Sequence, residues 1–319
     1  MTPAFLFTAA RFVLLAATAG LCLLTAPARA ACPPPHQEPT AQQMQAAAAS
    51  ASDHGFLWEI SKGGHSSYLY GTIHIARLEW VFPGPQLARA VRASDTFALE
   101  LNLLDEQTHS AIIQGQSQLD DTPPPAAFTR WVQAQAAELC LPMERLETFR
   151  PETQVVIISL TRARLHGLEP EYGIDLMLTQ AGQTMGKSVQ ALETAEDQLN
   201  ALRASSADIE QALARGEFTP DTAQRDLDVL LKLAAAWAKS DLDTLDAYSD
   251  WCHCMESTVD RQDMQRMLAD RNPKMAARVA ELHVAGHNVL AAVGSLHLIG
   301  DKGLPALLAQ QGFAVRRLF

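Results

Sequence analysis

The chain reads as an α/β (α+β) fold with a central mixed, largely parallel sheet, made from two strand–Gly-x-x-His–helix–strand units at the chain ends around a large helical insertion. Three observations predict this. Gly71-Thr72-Ile73-His74 and Gly294-Ser295-Leu296-His297 each stand directly after an apolar, strand-like stretch. A Gly/Pro turn, a short helical pattern and a further strand pattern follow both. Between the two units, apolar residues recur at helical spacing with one strand-like interruption. A strand–helix–strand unit normally gives parallel neighbours with a right-handed crossover, so each unit is expected to add a pair of adjacent parallel strands.

Taken in order, residues 1–30 read as a signal peptide: no Asp, Glu or Lys, an early Arg11, an apolar stretch over 12–25, and Ala28-Arg29-Ala30 as the cleavage signal. That stretch falls short of the about 20 apolar residues a permanent span needs. Cleavage after Ala30 predicts a periplasmic or secreted protein with no stable membrane span. Residues 31–50, with Pro33-Pro34-Pro35 and Pro39, read as a flexible leader, and 51–319 as a single domain. Residues 56–60 and 67–70 around Lys62-Gly63-Gly64 carry a hairpin signature. A helix is expected over 84–93, with Pro85 in its first turn, and a strand over 96–101 that carries Glu100. Helices are expected over 126–140, 151–166, 173–182, 205–214, 220–238, 241–250 and 257–284, with Pro123-Pro124-Pro125 and Pro151 as punctuation. The interrupting strand, 188–192, ends at Glu193. Strand 288–293, helix 303–311, the Gly312 stop and strand 314–318 complete the chain.

Composition narrows the partners. With 25 Lys+Arg against 36 Asp+Glu the net charge is -11, which disfavours a broad grip on nucleic acid or anionic lipid. At 6% aromatic content there is little platform for stacking bases or sugars, and no Gly-rich phosphate loop is present. Cys22 leaves with the signal, and Cys32, Cys140, Cys252 and Cys254 remain as an even set suited to an oxidising compartment. A bond between Cys252 and Cys254, across one residue, reads as strained, so each is expected to join Cys32 or Cys140. The rival reading is a metal site in Cys252-His253-Cys254, which disulfides outweigh because structural zinc sites usually take ligands two to four residues apart.

His74, Glu100, Glu193 and His297 all fall at or just past predicted strand ends. Functional groups gather at the C-terminal edge of parallel sheets. Glu100 interrupts the apolar run Phe97-Ala98-Leu99-Glu100-Leu101. A carboxylate buried there is costly unless paired or bound to a cation, although an edge-strand Glu facing solvent fits the same pattern. Glu193 fits equally an acid beside a helix N-terminus. Two His and a carboxylate make a first shell for a catalytic divalent metal, with glycine allowing a sharp turn or positive φ before each His. Arg271, in Arg271-Asn272-Pro273, offers a guanidinium for a substrate carboxylate or oxyanion, or is a solvated helix residue. His54, His65, His109, His166, His253, His283 and His287 show no paired spacing and read as surface or structural.

Leu69-Tyr70-Gly71-Thr72-Ile73-His74, Ala98-Leu99-Glu100-Leu101, Gly173-Ile174-Asp175, Leu192-Glu193-Thr194 with Gln198, Arg271-Asn272 with Met275, and Val293-Gly294-Ser295-Leu296-His297-Leu298 together resemble the TraB/PrgY/GumN family, in particular its exported bacterial GumN-like branch. The motifs occur in the family's order over about residues 55 to 319. The resemblance implies kinship with the membrane-anchored TIKI metalloproteases, and an active centre made of the two Gly-x-x-His motifs with acids and a divalent ion such as Mn, Co or Zn. By position it implies His74 and His297 as metal ligands, Glu100 as ligand or base, and Glu193 and Arg271 as supporting site residues. Unlike TIKI proteins, this chain shows no C-terminal anchor, which puts their substrate in doubt here. The expectation is a metal-dependent hydrolase of the cell envelope, a peptidase before others, acting on a peptide or small-molecule substrate. The alternatives are a non-catalytic envelope binding protein using the same pocket, and a small-molecule esterase.

Overall fold

In a computed structural model, residues 32–120 and 122–319 are described, so the signal-peptide reading of 1–30 lies outside the described residues. The stretch read as a leader holds α1 (Ala41–Ala49), which Thr40 and Gln43 close with a reciprocal capping box. β1 (Phe56–Lys62) and β2 (His65–Thr72) form the expected hairpin, in register from Phe56 opposite Gly71 to Lys62 opposite His65. Its turn residues Gly63 and Gly64 both take positive φ, +64° and +88°, which glycine adopts without steric cost. α2 (Pro85–Ala93) begins on its proline and buries Leu87, Ala90 and Val91, and β3 (Thr96–Leu99) follows.

The insertion is helical as expected, with more breaks. It comprises α3 (Glu106–Ser117), α4 (Ala126–Glu138), α5 (Met143–Leu146), α6 (Pro151–Arg164), α7 (Ile174–Thr184), strand β4 (Ser188–Ala191), α8 (Ala195–Leu202), α9 (Ser206–Ala214), α10 (Pro220–Ala238), α11 (Leu242–Asp246), α12 (Tyr248–Trp251), α13 (Thr258–Met264) and α14 (Asn272–Val284). The single helix expected over 257–284 is instead α13, a π-helical segment Gln265–Ala269, and α14 restarting with Pro273 in its first turn. There the missing proline N–H has no carbonyl to serve. β5 (Val289–Gly294), α15 (Leu304–Gln310) and β6 (Ala314–Arg317) finish the chain.

The six strands form one mixed sheet in the order β4-β3-β5-β2-β1-β6. β4, β3, β5 and β2 run parallel, while β1 is antiparallel to both β2 and β6. The expectation that the strands of each terminal unit are neighbours is therefore corrected. β5 lies between β2 and β3, and β2 and β1 lie between β5 and β6. The strands that do pair are the two leading into the Gly-x-x-His motifs, with Gly71 opposite Val293 and Thr72 opposite Gly294. β5 is apolar along its length and buried from Val289 to Val293, as a strand covered on both faces must be. The main core gathers Phe56, Tyr70, Phe97, Trp237, Met275 and the β5 side chains. A smaller core of Phe128, Val132, Leu146, Ile158 and Ile209 belongs to the helical insertion.

The disulfides also depart from expectation. Cys32 pairs with Cys140, tying the N-terminal segment to the end of α4, and Cys252 pairs with Cys254 at a Cα separation of 5.1 Å. The local bond becomes possible because His253 takes the left-handed conformation, φ +57°, which brings the flanking cysteines onto one side of the chain. Among the described residues no helix is long and apolar enough to cross a membrane.

Candidate functional site

The four parallel strands deliver one candidate residue each past their C-terminal ends: Glu193 after β4, Glu100 after β3, His297 after β5 and His74 after β2. Adjacent strands thus turn residues distant in sequence into neighbours along one sheet edge. The glycines before the two histidines serve close approach and not positive φ, since neither Gly71 nor Gly294 lies in that region. A Cβ on Gly71 would sit 2.8 Å from Ser295 Oγ, the hydroxyl that donates to Thr72 O across the two motifs. A Cβ on Gly294 would face Glu100 Oε1 at 3.3 Å, His297 Cδ2 at 3.7 Å and His74 Nε2 at 3.9 Å. Three candidate side chains therefore converge on the bare face of one glycine.

Glu100 is buried, 9% exposed, and well supplied with donors. Oε1 accepts from the Gly294 N–H at 2.6 Å, and Oε2 from Arg271 Nη2 at 3.0 Å and Gln198 Nε2 at 3.2 Å. Burial pushes its pKa up, but His297, His74, the Gly294 N–H and Arg271 together hold it down to about 2. It stays ionised. Glu193 is sealed more tightly, its side chain 1% exposed with both carboxylate oxygens bound by Arg271 Nε and Nη2. Burial pushes the Glu193 pKa up, against the pull of Arg271.

Arg271 also donates from Nη1 to Met267 O at 2.7 Å, in the π segment. Four of its five N–H groups thereby serve Glu193, Glu100 and Met267, so Arg271 clamps the two acids together. Glu193 is enclosed under that clamp.

The imidazoles are each held by one nitrogen. His297 is 4% exposed, and its Nδ1–H donates to Asn272 Oδ1 at 2.6 Å. Asn272 Nδ2 donates to Lys302 O at 2.7 Å, which fixes the amide orientation. His297 Nε2 is left with a free lone pair 3.8 Å from Glu100 Oε1. Burial lowers the His297 pKa to about 4, so the ring is neutral near pH 7. His74 Nδ1 stands 3.0 Å from Asp175 Oδ1. Asp175 raises the His74 pKa, an effect that solvent screens because 61% of the side chain is exposed.

Asp175 reaches His74 because Gly173 packs against the motif loop. A Cβ on Gly173 would lie 2.7 Å from His74 O, and the Ile174 N–H donates to Ile73 O at 2.9 Å. Sequence reasoning gave Asp175, Asn272 and Gln198 no role although all three stood in the recognised motifs. The available signal was a glycine directly before a helix with an acid in its first turn.

The donor chemistry suits a divalent ion: two imidazoles with Nδ1 occupied and Nε2 available, beside an ionised carboxylate. The His74, His297 and Glu100 ligand atoms are nonetheless spread wider than 4.8 Å, a closeness that among the described residues is met by His36, Glu169 and Glu171. Beside the site, Met255, Leu268, Asn272, Leu296 and Ile299 line a groove of about 460 Å3 with Lys302 at its rim.

A protein-family model for the TraB/PrgY/gumN family matches residues 56–317. The uncharacterized protein YbaP of Shigella flexneri is similar, 27% identical over 252 residues, covering 77% of this chain and 89% of that protein. No solved structure matches.

Proposed function

The chain belongs to the TraB/PrgY/gumN family, and from that premise we propose that it is a divalent-metal-dependent hydrolase of the bacterial cell envelope that cleaves peptide bonds. The observation that carries the reading is the pair of oriented imidazoles. Asp175 and Asn272 occupy the two Nδ1 atoms, leaving both Nε2 atoms and Glu100 Oε1 around Gly294. Acceptors on the far nitrogen are how metal-ligating histidines are fixed.

His74, His297 and Glu100 would hold an ion of the manganese, cobalt or zinc kind, which when bound supplies Lewis acidity and a water acidified toward neutrality. Glu100, with its low pKa, suits holding positive charge better than accepting a proton. Arg271 favours the charged forms of Glu100 and Glu193 and holds both in place without touching substrate. The adjoining groove, lined by Met255, Leu268, Leu296 and Ile299 together with Arg261 and Lys302, suits a side chain of an extended peptide. Two disulfides fit an oxidising, periplasmic or secreted setting.

A second reading rests on the wide ligand spacing and on the exposed His74–Asp175 pair. In it His74 Nε2 exchanges protons with substrate as a His–Asp dyad, without an ion. One set of measurements separates the readings: elemental analysis of protein purified without chelator or added metal, and hydrolysis of peptide and ester panels, beside His74→Ala and His297→Ala. Loss of bound metal and of peptide cleavage in both variants is the expected result. Unchanged metal content in both ends the metal reading. Full metal loading with no hydrolysis makes the protein a binding protein, and cleavage of esters alone makes it an esterase.

A further inference from the structure

On the far side of the segment that carries Asp175, the N-terminal segment places His36 against Glu169 and Glu171. We propose that these three residues form a second divalent-cation site, of the zinc class, independent of the His74 and His297 centre. Their ligand atoms, one from each residue, all lie within 4.8 Å of one another. His36 Nδ1 contacts Glu169 Oε2 directly and lies 4.0 Å from Glu171 Oε2. An imidazole nitrogen with two carboxylate oxygens is a zinc-type donor set with one position left open.

A second observation points to a missing cation. The Glu171 side chain is 37% exposed, but its Oε2 atom is buried and has no hydrogen-bond partner. Arg164 reaches Glu171 through Oε1 and Glu169 Oε2 at 3.4 Å, so it leaves that oxygen bare. A proton on His36 Nδ1 would serve Glu169 and still leave Glu171 Oε2 without a donor. An unserved carboxylate oxygen is costly away from water, and a divalent ion between the three groups satisfies it. Glu38, 4.0 Å from His36 Nε2, adds a third carboxylate beside the Arg164 guanidinium, with Arg77 and Glu79 lining the adjoining cavity. Glu169 also lines this cavity, of about 530 Å3, with Glu38, Thr40, Arg77 and Tyr172.

The ion would clasp the segment between Cys32 and α1 onto the strand-like bridge of Ala76 with Glu169, two residues beyond His74. The test is zinc binding by titration calorimetry, with cobalt as a visible-absorption probe. It compares the wild type with His36→Ala, Glu171→Gln and the His74→Ala/His297→Ala double variant. The expected result is that His36→Ala and Glu171→Gln each lose one ion per chain, or bind it more than about tenfold more weakly. The double variant keeps that ion, and zinc raises its melting temperature, a rise that is lost when His36→Ala is added to it. Circular dichroism checks that each variant folds; Glu171→Gln, which keeps the side chain's shape, carries the test if His36→Ala does not. Zinc stoichiometry and affinity unchanged from the wild type in Glu171→Gln and in any folded His36→Ala protein overturn the site.

Discussion

Arg271 holds the two acids of the sheet edge together, and its loss leaves two buried carboxylates uncompensated. Arg271→Ala is expected to cost about 3–5 kcal/mol in urea unfolding, because breaking a buried pair from one side exposes the full desolvation penalty. A cost under about 1 kcal/mol would mean that water reaches Glu193. Asp175→Asn is expected to lower the His74 pKa, since Asp175 is the main cause of its rise. The titration of the His74 ring protons by NMR reads this directly, and an unmoved midpoint would show that the pair is not electrostatically coupled. Glu100 and the two histidines were legible in sequence because a charge inside an apolar strand and a His after Gly-x-x are local signals. Asp175 and Asn272 were not, because an acid in a helix's first turn and an Asn before a proline also fit ordinary helix starts.

Where segments meet, the glycines decide. A methyl on Gly294 would enter the space shared by Glu100 Oε1 and His297 Cδ2, so Gly294→Ala is expected to reduce metal binding and turnover more than about tenfold with little loss of stability. A methyl on Gly173 would meet the backbone oxygen of His74 at 2.7 Å, where nothing flexible can yield. Gly173→Ala is expected to cost about 1–3 kcal/mol as overpacking, read as a lower urea midpoint, and to displace Asp175 as well. Most elements were legible from apolar spacing and proline positions. The π segment was not, because apolar residues keep roughly helical spacing through Gln265–Ala269 while the hydrogen-bond ladder slips. α3 was missed for the opposite reason: it buries no residue, so it leaves no periodic stripe.

For the protein entire, acid sensitivity follows from two enclosed, neutral imidazoles. His283 accepts from Ser67 Oγ at Nδ1, 2.8 Å, and donates from Nε2 to Lys62 O, 2.9 Å, and burial lowers its pKa as it does that of His297. In the unfolded chain both titrate near 6.5, so the unfolded state binds more protons once the pH drops below that value. Stability is therefore full above about pH 6.5 and falls below it, for His297 down to about pH 4. His74 runs the other way, its stabilisation by Asp175 fading as pH rises above 6.5, but its exposure screens that contribution. Urea midpoints at pH 7.5 and pH 5 are expected to differ in that sense, and less so in His283→Gln; equal midpoints in the wild type would refute the account. At this scale the α/β class and the terminal units were legible, while strand adjacency was not, because a strand–helix–strand pattern fixes direction but not which strand slips between.

That adjacency governs how the molecule comes into being. Among the described residues β5, residues 289–294, is the only strand between the β4-β3 pair and the β2-β1 pair. Without this stretch the strands are left as two half-sheets with bare edges and no meeting point for His74 and His297. A chain cut short before residue 289 is therefore expected to expose those unpaired edges and to be cleaved by added protease faster than the full-length protein.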